Sequence, residues 1–238
     1  MAQSYYETGE SFYNRRGENA IGLVADKKLI NTALKNYKKA KKTPQTIAAI
    51  MRAYEYKASY TELSKKKRKG IYRLAIKMGK QALQKYPDHV SIKYYYMANL
   101  GRWGQSVSLI KAHKKGVVDQ VREITSEIMK ADSVFDESGS QRILGAIHLK
   151  APNIPLVLTW PSDEIALQLL GSAYRLSPDN VGNCKLYAEA LLELDRNNEA
   201  KSVLQEIVQR APRKSRFVED SKNIDEAKRL LDSSFSGA

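Results

Sequence analysis

The side chains that could carry covalent or metal chemistry are few and widely separated. His89, His113 and His148 are the three histidines and Cys184 is the single cysteine. No two of them stand at the short spacing with which His and Cys ligands close a zinc site. Cys184 falls where a residue packs between helices, and there a thiol behaves as a small, inert apolar group. There is no Gly-rich phosphate loop, no Gly-x-Ser-x-Gly elbow and no carboxylate pair with a reason for shifted acidity. The sequence thus predicts no catalytic residue, no metal ligand, no cofactor and no enzyme. What remains is binding chemistry, and it is cationic.

Net charge is +14, and its distribution says more than its size. Residues 1–89 hold 20 Lys and Arg against 7 Asp and Glu, whereas residues 90–238 hold 20 against 19. The densest run is Lys65, Lys66, Lys67, Arg68 and Lys69, followed by Lys38, Lys39, Lys41 and Lys42. Such runs attract phosphates, anionic lipid heads or an acidic protein face. The Lys65 run lacks interleaved aromatics, so it carries no signature of specific nucleic-acid reading and is expected as a solvated loop. A polyanion such as nucleic acid stays the alternative partner for this surface.

The elements that must position these residues announce themselves by a repeat. Ala166, Leu170, Ala173 and Pro178 map onto Ala200, Leu204, Ile207 and Pro212 at an offset of 34 residues, the period of a helix-turn-helix solenoid. The last unit is the clearest: a first helix over about 181–194 carries Cys184, Tyr187, Ala188 and Leu191 on one face, and a second over about 198–209 ends before Pro212. The same small residues recur upstream at Ala75, Gly79 and Ala82 before Pro87, and at Ala33, Tyr37 and Ala40 before Pro44, with loops longer by about ten residues.

This predicts an all-α fold of about five degenerate, tetratricopeptide-like antiparallel helix pairs forming a right-handed solenoid. The pairs fall at about 3–44, 45–88, 90–133, 139–178 and 181–212, with a capping helix over 223–232, in one helical-repeat domain spanning 3–232. Period-two alternation is absent, as is any apolar run of the 18 or more residues that span a bilayer. An apolar, proline-stiffened insertion, 151–161 with Trp160, interrupts the fourth pair.

Beyond a generic repeat, two stretches are more specific. One runs from Gly139 through Arg142, Gly145, His148 and Lys150 to Pro152, continuing into Leu176-Ser177-Pro178-Asp179-Asn180 and Ala188-Glu189-Ala190-Leu191-Leu192. The other is Asn99-Leu100-Gly101-Arg102-Trp103. Together they resemble the TRAP transporter T-component family, whose members are periplasmic, often lipid-anchored tetratricopeptide-like proteins working beside a solute-binding protein. The regulator of microtubule dynamics family is similar at greater distance.

The resemblance implies a protein partner, namely a periplasmic solute-binding protein. It also implies a helical assembly with a small apolar or acidic ligand near a pore or groove, so a homo-oligomer is expected. Localisation is expected to be periplasmic and lipid-anchored, with a leader removed before residue 1; the alternative is a cytoplasmic interaction scaffold.

In such arrays the first helices line the concave face. Projecting the repeat phase places Tyr95, Asn99, Arg102, Arg142, Ala146, Lys150, Lys185 and Glu189 toward a groove, with Trp103 and Trp160 as aromatic anchors. Four cations among them predict a basic groove for a carboxylate, an acidic ligand or an acidic partner loop.

Overall fold

The computed structural model describes residues 4–107, 112, 115–151 and 160–235. Among them are eleven α-helices and one short 3-10 turn, with no strand and only two isolated β-bridges. The helices are α1 (Tyr5–Asn14), α2 (Lys27–Lys39), α3 (Pro44–Tyr60), α4 (Lys65–Leu83), α5 (Val90–Gln105), α6 (Val117–Ala131), α7 (Phe135–Lys150), α8 (Asp163–Leu176), α9 (Val181–Glu193), α10 (Asn197–Val208) and α11 (Phe217–Phe235). The all-helical, tetratricopeptide-like class expected from the period is the observed one.

Local chemistry explains where the helices start. The side chains of Ser4, Asp26, Thr43, Ser64, Ser162 and Asn180 each accept a backbone N–H in the first turn of the helix that follows, satisfying a donor the helix itself cannot. Pro44 at the first position of α3 gives up only an N–H that would have had no partner.

The chain divides into two compact units, residues 1–128 with 214–218, and residues 129–213 with 219–238. In the first, Tyr13, Ile30, Leu34, Tyr37, Ile50, Tyr56 and Val218 share one core, and Met51, Ala75, Ala82 and Ile92 form another. In the second, Ala166, Leu170 and Ala190 pack together, and Val181, Cys184, Ala188, Leu191, Leu204 and Ile207 pack with Ile224 and Ala227 of α11. Helix α11 therefore supplies apolar side chains to the last repeat, as a cap must.

The small residues of the repeat mark helix crossings. A Cβ on Gly145 would lie 2.6 Å from Leu170 Cγ, so α7 and α8 touch almost backbone to side chain. Gly9 does the same against the Tyr37 ring, at 2.5 Å.

Three local expectations are corrected. Lys65–Lys69 is not a loop but the opening of α4, because Ser64 caps the helix and Tyr72, Ala75, Gly79 and Ala82 give its buried side a helical period starting just beyond the run. Helix α7 opens earlier than the fourth pair's expected start at about 139, through Asp136, Glu137 and Ser138, whose φ values of 48°, 58° and 58° form a left-handed corner. The cap α11 is likewise longer than 223–232, with Glu219 and Asp220 in its first turn favoured by the helix dipole. Most of the apolar insertion, 152–159, and His113 lie outside the described residues.

Candidate functional site

In the first unit the expected groove residues separate. Asn99 is fully buried and its Nδ2 donates to the Met51 carbonyl at 3.1 Å and the Tyr95 carbonyl at 2.7 Å, so it ties α5 to α3 instead of facing a groove. Trp103 is also withdrawn into the interior, at 7% exposure. Both departures arise because α5 is buried on several sides, so a phase projected from the more regular C-terminal repeat mislabels its faces. Tyr95 is half-buried and meets Tyr94 edge-on at 5.0 Å. Arg102 is accessible but engaged, its Nε 3.1 Å from Glu55 Oε1. Lys65, Lys66 and Lys67 are exposed, and Arg68 and Lys69 half-buried.

A charged, aromatic cluster in this unit escaped sequence reasoning. Glu10 Oε1 accepts from Arg52 Nη2 and from the Tyr37 hydroxyl, both at 2.6 Å. The Arg52 guanidinium lies 3.9 Å from the Tyr13 ring centroid, and that of Arg16 lies 4.2 and 4.9 Å from the centroids of Tyr13 and Tyr56. Burial, against the opposing pull of Arg52, pushes the Tyr37 hydroxyl well above its usual range, so it stays a proton donor. Arg16 is held between two π faces, and Arg52 by one ring together with the Glu10 charge. A signal existed in the Tyr-rich first helix, Tyr5, Tyr6 and Tyr13, but its partner Arg52 stands far along the chain.

In the second unit the expected basic face is present but neutralised. Lys150 Nζ and Lys185 Nζ hold the two oxygens of Glu189, each at 2.9 Å, and Lys185 also meets Glu226 of α11 at 2.7 Å. Lys185 is buried, and burial alone would lower its pKa; Glu189 and Glu226 outweigh it and raise it. Burial would likewise raise Glu189, but Lys185 and Lys150 hold its carboxyl below the usual range. Ala146 is half-buried, and Trp160 packs edge-on against His148 at 4.7 Å. The correction is one of charge: these cations are matched by carboxylates, so the face is not a bare basic groove.

Arg142 serves a different feature, the left-handed corner. Its Nη1 donates to the Glu137 carbonyl at 3.1 Å and to Asn183 Oδ1 at 2.8 Å, and its Nη2 meets Asp136 Oδ2 at 3.3 Å. Asn183 Nδ2 donates to the carbonyls of Glu137, at 3.0 Å, and Ala173, also at 3.0 Å. The Glu137 carboxylate accepts from Asn180 and, at 2.8 Å, from Arg213, which also grips Asp220 through Nε and Nη2 at 2.7 and 3.0 Å. Three left-handed residues without glycine cost on the order of 3–6 kcal/mol. These side chains overdetermine the corner and hold it.

Beside the corner lies a pocket of about 690 Å³, walled by Glu137, Leu176–Val181, Arg210, Ala211 and Arg213. The size suits a small molecule or a partner side chain. Its lining offers two guanidinium groups, of Arg210 and Arg213, and two carboxylates, of Glu137 and Asp179, which is recognition chemistry. Cys184 is close by, with Arg210 Nη1 3.5 Å from its sulfur, but burial pushes its thiol up despite that cation. The pocket thus has no activated nucleophile. Among the described residues no group of three or more His, Cys, Asp or Glu could hold a metal ion, and no helix is long and apolar enough to cross a membrane.

The segment that builds this pocket is also where sequence comparison finds a match. The tetratricopeptide repeat family matches residues 166–219. No curated protein matches the chain in sequence. In structure the chain is similar to a thermophilic tetratricopeptide repeat protein of Thermus thermophilus, with a TM-score of 0.59 over 85% of this chain and 92% of that one, at 14% identity. The likeness at that identity is one of fold, and the chain is a tetratricopeptide-like helical-repeat protein.

Proposed function

We propose that this chain is a non-catalytic binding scaffold that docks a protein partner, as a T-component-like accessory of periplasmic solute uptake. The partner on this reading is a solute-binding protein, and a small acidic or apolar molecule is held alongside. One observation carries it: Glu137 and the Leu176-to-Asn180 segment, the latter part of the stretch that resembles the T-component family, wall one pocket in the second unit, with Arg142 buttressing its corner. Arg210 and Arg213 make that wall cationic although each already holds a carboxylate of its own chain, Glu206 for the first and Asp220 with Glu137 for the second, so a carboxylate of a ligand or of an acidic partner loop would bind by joining or displacing those pairs.

Native mass spectrometry of the protein as purified, alone and mixed with the solute-binding protein of a tripartite transporter from the same organism, tests this. The expected result is a complex, with a retained small molecule released on harsher activation. A ligand-free monomer that ignores the solute-binding protein contradicts the proposal and leaves the plainer scaffold.

A further inference from the structure

The first unit ends in an arrangement that no packing requirement explains. Ile21 and Val24 exchange both backbone hydrogen bonds, at 3.0 and 3.1 Å, closing a tight turn whose Gly22 has φ +56°. The turn is apolar, yet Ile21 is 86% exposed and Val24 43% exposed. Just beyond it, the Ala25 N–H donates to the Tyr60 carbonyl at 2.9 Å, and Ala25 bridges to Thr61. That contact sets the approach to α2 beside the approach to α4, and the short antiparallel connections around α3 make these two helices start at the same end.

Both helices open with lysines. Lys27 and Lys28 begin α2, Lys65, Lys66 and Lys67 begin α4, and neither helix has an acid in its first turn. All five are exposed, and none forms an ion pair among the described residues. Cations at a helix N-terminus oppose the helix dipole, so this placement is one that folding stability disfavours. Nearby, burial and then the like charges of Lys38 and Lys27 pull Lys57 below its ordinary value, a mark of cationic crowding. The acids of these approaches do little to offset it: Asp26 is taken up capping Lys28 N, Glu18 is paired with Arg15, and Glu62 stands alone and exposed.

An exposed aliphatic tip beside five unpaired lysines at the starts of two helices that flank α3 matches the two-signal logic of peripheral membrane binding. An apolar group enters the interface while lysines meet anionic headgroups. Nucleic acid fits less well: the nearby Tyr72 of α4 is buried, the half-buried Tyr60 ring is taken up against Tyr56, and an isoleucine tip gains nothing on a phosphate backbone. We infer that the Ile21–Val24 turn with Lys27, Lys28 and Lys65–Lys67 docks this chain end-on to the surface of an anionic lipid bilayer.

Flotation with vesicles of phosphatidylcholine containing about a third phosphatidylserine, against pure phosphatidylcholine, tests it. Binding is expected only to the anionic vesicles and is expected to weaken steeply with salt. Lys65→Ser, Lys66→Ser and Lys67→Ser together are expected to weaken it about 100-fold. Ile21→Ser, at a site too exposed to matter for folding, is expected to weaken it about 10-fold with its salt dependence unchanged. Unchanged melting curves for both variants establish that the fold is intact. No binding to anionic vesicles at low salt overturns the proposal, as does binding that ignores Ile21→Ser. Tighter binding to duplex DNA than to vesicles overturns it in favour of a nucleic-acid surface. None of these outcomes depends on a solute-binding protein, so the two proposals stand or fall separately.

Discussion

The two units treat charge in opposite ways. The first carries 28 Lys and Arg against 10 Asp and Glu, the second 12 against 16. In the second unit the central cations are structural: Arg213 fastens Asp220 and Glu137, Arg142 buttresses a left-handed corner, and Lys185 joins α9 to α11 through Glu226. In the first unit Arg52 and Arg102 are used in the same way, but the lysines that start α2 and α4 face outward with no partner among the described residues. A cation matched inside its own chain supports the fold. One kept at a helix N-terminus without an acid works against the fold, which is why we assign its use to a partner outside the chain.

The comparison breaks most readily at Arg213. Replacing it with Ala leaves the buried Asp220 carboxylate without its guanidinium partner and unties Glu137 from the corner, so unfolding free energy should fall by about 3–5 kcal/mol in denaturant titration. A loss below about 1 kcal/mol would mean that solvent replaces the network.

Next in size is Glu189→Gln, which leaves the buried Lys185 with Glu226 alone. A loss of about 2 kcal/mol is expected, less than for an orphaned charge because one partner survives.

The same pair predicts a pH profile. A carboxyl held below its usual range contributes stability that is present above about pH 4.3 and is lost as pH falls through the lowered folded value. Lys185, raised above its usual range, contributes stability present below about pH 10.4 and lost as pH rises through its folded value. The stability difference between the parent protein and Glu189→Gln should therefore be flat from about pH 5 to 10 and shrink on both sides, as read by thermal melts across pH.

Most of the fold could be read from the residues. The 34-residue offset, the Ser, Thr, Asp and Asn caps and the small residues at helix crossings all act locally or at a fixed period, so they leave marks in the sequence. The site was less legible. Lys150, Arg142 and Lys185 stand out in the sequence, but each also takes a partner from another helix, Glu189 for Lys150, Asn183 for Arg142, and Glu226, 41 residues beyond, for Lys185. The Asp136–Ser138 corner has no glycine to announce it, because side chains from α7, α9 and the segment before α11 impose it from outside. Lys65–Lys69 reads as a loop because a run of one charge obscures helical period, while the cap and apolar face lie on either side of it.

The smallest expected effect, that at the start of α4, is also the most telling, since loss of cations should not destabilise the first unit and should destabilise the second. Thermal unfolding of two variants side by side tests it directly: Lys65→Gln, Lys66→Gln and Lys67→Gln together in the first unit, and Lys150→Gln with Lys185→Gln in the second. Removing cations from the start of α4 should leave stability unchanged or raise it by a few tenths of a kcal/mol per site, while the second pair should lose about 2 kcal/mol or more. If the α4 variant melts lower than the parent, or the Lys150 and Lys185 variant melts with it, the division between cations that hold the fold and cations held for a partner is contradicted.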